Sequence, residues 1–198
     1  MIALALEVLS SDPVNIDFQK ASTLLRSPYL FSDTLTAAMA AQLDRKLRSL
    51  NLLNYSLARI ISEARALLPA YQNKSAVSAL ERWENMPDPQ TAQTHTLWAA
   101  HFTAQLAALG WPGVRGFTSR EHQIYTHWND MLHAFCALDT LFEPVSKNKA
   151  LDRLIQLCSD HSFQEKTANK PIQILGLLEA SGDTYDALWI MEMDDEHF

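Results

Sequence analysis

Apolar side chains recur along this chain at spacings of three and four, and that rhythm limits the available folds more than any other feature. Leu35, Met39, Leu43, Leu47 and Leu50 share one helical face. A second stripe runs through Leu97 or Trp98, then Phe102, Leu106 and Leu109. A third joins Ile124, Trp128, Met131, Leu132, Phe135, Leu138 and Phe142. Each stripe must be covered by another element, and packing helix on helix covers several at once. Only five glycines occur in 198 residues, which speaks against a turn-rich β fold. Hydrophobic residues make up 47% and charged residues 20%, enough for a sizeable core.

Proline, glycine and capping residues divide the rhythm into segments. Residues 2–9 read as a short helix broken at Asp12-Pro13. Asp17 caps a second helix through Phe18, Ala21, Leu24 and Leu25, which ends before Ser27-Pro28. The third starts at Ser32 or Asp33, with Arg45, Lys46 and Arg48 near its C-terminal end, where the helix dipole favours cations. Tyr55 to Leu68 forms a fourth, with Leu57, Ile60, Ile61, Ala64 and Leu68 inward, stopping at Pro69; residues 75–85 form a shorter one. Pro87-Asp88-Pro89 marks a break and a candidate subdomain joint. The next helix covers about residues 90–109 and ends at Gly110-Trp111-Pro112-Gly113. Thr118-Ser119-Arg120-Glu121 is a capping box opening the longest helix, which reaches about Phe142 before Pro144. Ser146 caps the last one, carrying Leu151, Leu154, Ile155 and Cys158.

After Lys170-Pro171 the pattern changes. Residues 172–178 and 187–191 are short apolar runs around a polar break with Gly182, and they read as a pair of buried strands. Two such strands are not stable alone and need partner strands that residues 1–170 do not offer. The charge also concentrates here. Sixteen Lys and Arg face 23 Asp and Glu, a net charge of −7. Seven acids lie in the last twenty residues with no Lys or Arg: Glu179, Asp183, Asp186, Glu192, Asp194, Asp195 and Glu196. Leu177, Leu178, Tyr185, Leu188, Trp189 and Ile190 are interleaved with them, too much apolar surface for a solvated acidic tail. The balance excludes a uniformly basic nucleic-acid groove.

Catalytic motifs are missing. A Walker loop needs Gly-x-x-x-x-Gly-Lys-Ser/Thr, and no Lys follows Gly110, Gly113 and Gly116. Pro87-Asp88 has the opening of a PD-(D/E)xK nuclease core, but no D/E-x-K step follows it. The histidine spacings are five for His122/His127 and six for His127/His133 and His95/His101. None suits ligands on one helical face, so no metal or other cofactor is expected. An enzyme built on Glu121, His122, His127 and Asp130 would need these to converge, which one helix does not allow. Cys136 and Cys158 read as reduced core thiols of a cytoplasmic protein. No apolar run approaches the roughly 18 residues of a membrane span. Met1 to Leu6 lacks the basic start of a signal peptide, and Glu7 interrupts it.

Three pieces of the chain carry a family resemblance. One is Leu24-Leu25-Arg26-Ser27-Pro28-Tyr29-Leu30 with Leu43-Asp44 and Leu47-Arg48. Another is Leu109-Gly110-Trp111-Pro112-Gly113 with Ser119, Glu121 and Gln123. The most specific is Pro171 to Ala180, then Gly182, Asp186-Ala187-Leu188-Trp189-Ile190 and Asp194-Asp195. Together, in order and over nearly the whole chain, they resemble the middle of bacterial probable DNA repair proteins of the PD-(D/E)xK superfamily, related to the AddB/RecB helicase–nuclease subunits.

The resemblance implies a mainly α, multi-helix domain over 1–165, similar to the 2B-like insertion of superfamily 1 helicases. Residues 166–198 would be a strand–loop–strand stub of a RecA-like motor domain. Glu179, Gly182 and Asp186 match its motif V-like loop, although Ser181 and Asp183 stand where Lys and Leu are usual. Arg26, Arg45, Arg48, Arg115 and Arg120 are the candidate DNA-backbone contacts. The expected role is non-catalytic: scaffolding, or contact with DNA, the rest of the parent chain or a partner subunit. The nucleotide loop and nuclease core of the family lie outside this chain, as a split gene or a fragment of a longer protein would explain. A stand-alone helical protein-interaction module is the alternative.

Overall fold

The computed structural model describes residues 1–31, 37–71, 75–113, 115–161, 172, 174–176, 180 and 184–190. The chain divides into two units, Met1–Glu165 and Lys166–Phe198. The first is mainly helical. Its elements are α1 (Ile2–Ser10), β1 (Ile16–Asp17), α2 (Phe18–Leu25), α3 (Ala37–Ser49), β2 (Asn54–Tyr55), α4 (Leu57–Tyr71), α5 (Ser75–Glu84), α6 (His95–Ala108), α7 (Ser119–Ala137) and α8 (Lys147–Asp160). Helices α2 to α5 pack each on the next, and α6 to α8 do the same. Helix α5 meets α6, while α1 lies against α2, α6, α7 and α8.

The stripes form the core. Met39, Leu43 and Leu47 on α3 are fully buried, as are Trp98, Phe102, Leu106 and the adjoining Leu109, and Trp128 and Phe135 on α7. The Trp98 indole N–H donates to the Val145 carbonyl at 2.8 Å, which removes the cost of burying that donor. Of the two residues offered at the start of this stripe, Trp98 faces the core and Leu97 faces out. The Ser32/Asp33 start of α3 lies outside the described residues.

Capping follows the sequence in three places. Asp17 Oδ1 accepts from the Gln19 and Lys20 amides at the start of α2. Thr118 and Glu121 form a reciprocal capping box at α7. Helix α6 ends in a Schellman motif: the Gly110 amide donates to the Ala107 carbonyl and the Trp111 amide to Leu106. Gly110 has φ +80°, and the neighbouring Trp111–Pro112 peptide is cis. The Leu109 carbonyl accepts from the Phe31 amide at 3.0 Å, so this turn also anchors the chain after α2.

Several boundaries differ from the sequence expectation. Helix α6 starts at His95 rather than near 90, because Gln93 exchanges two backbone hydrogen bonds with Val145 and Thr94 is the cap. Helix α7 stops at Ala137 and passes into a 3-10 turn, Leu138–Thr140, that redirects Asp139. Helix α4 continues through Pro69 to Tyr71. So near the helix end, the missing proline N–H affects one carbonyl rather than the whole ladder. Ser146 occupies the N-cap position of α8 but makes no side-chain cap bond.

The expected terminal strand pair is the main correction. The structure's strand pair is instead β1–β2, antiparallel, with Ile16 opposite Tyr55 and Asp17 opposite Asn54. In the second unit, residues 174–176, 184–185 and 188–190 are in neither helix nor strand. The Ala180 amide reaches back four residues to the Gly176 carbonyl, a helical reach rather than a ladder bond. The rest of the two runs lies outside the described residues.

Gly110 and Gly116 offer a matched test of the turn. A Cβ at Gly110 would sit at φ +80°, whereas a Cβ at Gly116 meets nothing within 4 Å. Gly110→Ala is expected to cost about 1–2 kcal/mol in urea unfolding, and Gly116→Ala is expected to be neutral or slightly stabilising. Equal effects at the two positions would contradict the assigned turn.

Candidate functional site

Three polar clusters join distant parts of the helical unit. The first is at the N-terminus of α6, whose leading amides have no partners inside the helix. Thr94 accepts from the Leu97 amide at 3.3 Å. Asp139, on the turn after α7, accepts from the amides of His95 at 2.5 Å and Thr96 at 3.1 Å. It also meets His95 Nδ1 at 2.9 Å. Partial burial opposes ionisation of Asp139, but the bonds from Thr96 and His95 outweigh it and hold the carboxyl well below its usual range.

The other nitrogen of His95 is also taken. Arg153 on α8 lies 2.7 Å from Nε2. A guanidinium only donates, so Nε2 is the acceptor and Nδ1–H donates to Asp139. Arg153 stacks on the Phe142 ring at 3.9 Å, and the His95 ring meets Phe135 edge-on at 5.1 Å. An Asp–His pair could orient a general base. Here His95 is fully buried and the position a nucleophile would occupy holds Arg153, so the arrangement is a tie between α6, the 3-10 turn and α8.

The second cluster centres on Asp88 of the Pro87-Asp88-Pro89 break. Its Oδ1 accepts from His101 at 2.9 Å and Gln105 at 3.2 Å, both on α6. Its Oδ2 accepts from Lys147 at the start of α8, at 2.7 Å. Burial pushes the Asp88 carboxyl up, and the bonds from Lys147 and His101 more than reverse this. The break thus joins α6 and α8 within one unit. Among the described residues, no group of three His, Cys, Asp or Glu side chains converges to hold a metal ion.

The third cluster links the turn after α2 to α7. Glu121 accepts from Tyr29 Oη at 2.7 Å, from the Thr118 amide at 2.9 Å and from Arg115. Arg115 also stacks over the Tyr29 ring at 5.1 Å. Arg115 first, then Thr118 and Tyr29, hold the Glu121 carboxyl down at about 2. The same contact with Glu121 raises the Tyr29 phenol. Glu121 is therefore turned into the capping box. His127 Nε2 lies near the His161 carbonyl at 3.2 Å, and Asp130 is exposed, so the four residues of the enzyme reading do not gather.

The arginines named from sequence differ in their surroundings. Arg48 pairs with Asp44 at 3.2 Å and stacks on Phe18 at 4.9 Å. Arg26 bonds the Ser22 carbonyl at 3.2 Å. Phe18 and Arg26 open and close α2, about 12 Å apart along its axis. Arg45 and Arg120 are exposed, and Arg115 is engaged with Glu121. Asp186 is exposed, whereas Glu179 and Gly182 lie outside the described residues. Two concavities stand near these residues: an apolar cavity of about 10 Å³ lined by Leu24, Phe31, Leu57 and Trp83, and an open hollow of about 320 Å³ by Arg26 and Tyr29.

Sequence reasoning missed the Asp139–His95–Arg153 tie. Its members lie 44 and 58 residues from His95, on three elements, with no spacing signal. Fold and clusters together define a mainly helical protein in which the ionisable side chains of these clusters bind one another. No protein-family model, curated protein or solved structure matches the chain. Among the described residues, no helix is long and apolar enough to cross a membrane.

Two stability measurements follow from these clusters. Glu121 is held down from 4.5 to about 2, so its contribution is complete above pH 4.5 and disappears as pH falls towards 2. Glu121→Gln is expected to lower the thermal midpoint at neutral pH and to flatten its fall across that acid window; an unchanged acid limb would contradict the assignment. Asp139→Ala leaves the buried His95 N–H and the α6 amides unpaired, with an expected loss of about 2–4 kcal/mol in urea unfolding. Asp139→Asn, which keeps one acceptor, is expected to lose less.

Proposed function

We propose that this chain is a non-catalytic helical scaffold from a DNA-repair helicase–nuclease-like protein, similar to a 2B-like insertion followed by a motif V-like segment. It holds DNA or a partner surface rather than transforming a substrate. The observation that carries this reading is the mutual engagement of the ionisable groups in the three clusters. Both ring nitrogens of His95 are occupied, Asp88 accepts from three side chains, and Glu121 accepts from three residues. A group that moves protons for a substrate keeps one side available to it, and these groups are turned towards each other.

Resemblance of the three segments supports the family assignment. Arg26, Arg45, Arg48, Arg115 and Arg120 are assigned the phosphate contacts, with Arg48 and Arg115 also beside carboxylates. Glu179, Gly182 and Asp186 are assigned to the loop that joins this scaffold to a motor domain. Ser181 and Asp183 in that loop fit a scaffold that has lost motor function. The free, partly buried Cys136 and Cys158 suit the reducing cytoplasm. A stand-alone interaction module is the second reading. It is favoured by the exposure of Ile174 and Trp189, which suits a protein partner.

Fluorescence anisotropy of the full chain with labelled duplex DNA tests the proposal. Binding is expected to be weak at 50 mM salt and lost by about 200 mM, with Arg45→Ala shallowing the salt slope by about one. Tight, sequence-specific, salt-resistant binding would overturn it, and so would ATP hydrolysis or DNA cleavage by the chain alone.

A further inference from the structure

His95 is fully buried, and its two ring nitrogens face partners of opposite charge. Nδ1–H donates to Asp139 on the 3-10 turn at 2.9 Å, and Nε2 accepts from Arg153 on α8 at 2.7 Å. Helix α7 meets the imidazole with the uncharged Phe135 ring, and Phe142 lies on a further side. The ring thus stands between one carboxylate and one guanidinium.

A second proton on the ring acts in opposite directions on these two partners. The imidazolium keeps its Nδ1–H and binds the carboxylate more tightly. At Nε2 the acceptor becomes a donor, and two cations then face each other at hydrogen-bond distance. Arg153 has a way out: it is half-buried and stacks on Phe142, which is itself exposed to solvent.

The other polar holds on α8 do not reverse in this way. At its start, Lys147 donates to Asp88 at 2.7 Å, and His101 donates to the same carboxylate in either charge state. At its end, His127 Nε2 lies 3.2 Å from the His161 carbonyl, and a donor there remains one when charged. The Gln93–Val145 bridge and the Trp98 indole bond do not titrate. Acid therefore removes a contact in the middle of α8 and spares those at its two ends.

We propose that His95 is a proton-operated latch, whose second proton keeps Asp139 on the start of α6 and releases Arg153 with the middle of α8. The device lies within the helical unit and is independent of what the scaffold binds.

NMR of the full 15N-labelled chain between about pH 8 and pH 5, the span in which histidine serves as a switch, tests the latch. Near pH 8 the His95 proton is expected on Nδ1, with Nε2 bare. Near pH 5 both nitrogens are expected to carry protons. Amide exchange around Arg153, corrected for the intrinsic effect of pH, is expected to quicken roughly tenfold. The His95 and Thr96 amides, which donate to Asp139, are expected to stay protected. Arg153→Met is expected to remove the pH response of α8, with far-UV circular dichroism checking that its helices remain. A proton on Nε2 near pH 8, a ring still neutral near pH 5, or α8 unchanged beside a doubly protonated ring would overturn the proposal. Loosening of the α6 start together with α8, or a pH response that survives Arg153→Met, would do so as well.

Discussion

A carboxylate from outside the helix satisfies the N-terminus of α6, and the packing of α6, α7 and α8 depends on it. Asp139 reaches that end only because α7 gives way to a 3-10 turn at Leu138. Its hydrogen bond sets the His95 tautomer, which leaves Nε2 as an acceptor for Arg153, and Arg153 draws in α8. The Gln93–Val145 bridge and the Trp98 indole bond close the same junction from the other side. A helix start that lacks acidic residues of its own has therefore become the meeting point of three elements.

The helices were legible because the apolar periods of α3, α6 and α7 are long and because their ends carry side-chain chemistry that acts locally. Asp17, the Thr118–Glu121 box and Gly110 all act within a few residues, so spacing reveals them. The strand pair β1–β2 was not legible. Each strand is two residues long, and their pairing depends on a contact nearly forty residues away. The α6 start was misread for the same reason: Gln93 is fixed by Val145, not by its neighbours.

The clusters were less legible than the fold. Asp88 drew notice through a nuclease-like dipeptide, yet its partners His101, Gln105 and Lys147 come from two other elements. Arg115 was selected for its charge, but its role depends on Glu121 and Tyr29. Sequence spacing shows which side chains share a helix face. It does not show which faces meet, and the ties of Asp139, Asp88 and Tyr29 each cross from one element to another.

Helix α1 gives the topology a temporal side. Ala5, Val8 and Leu9 are buried, and α1 packs on α6, α7 and α8 as well as on adjacent α2. Those later partners begin some ninety residues downstream and end near residue 160. During synthesis at about 5–20 residues per second, α1 leaves the ribosome several seconds before most of its covering surface does. Its apolar face is covered in full only once those helices have been made.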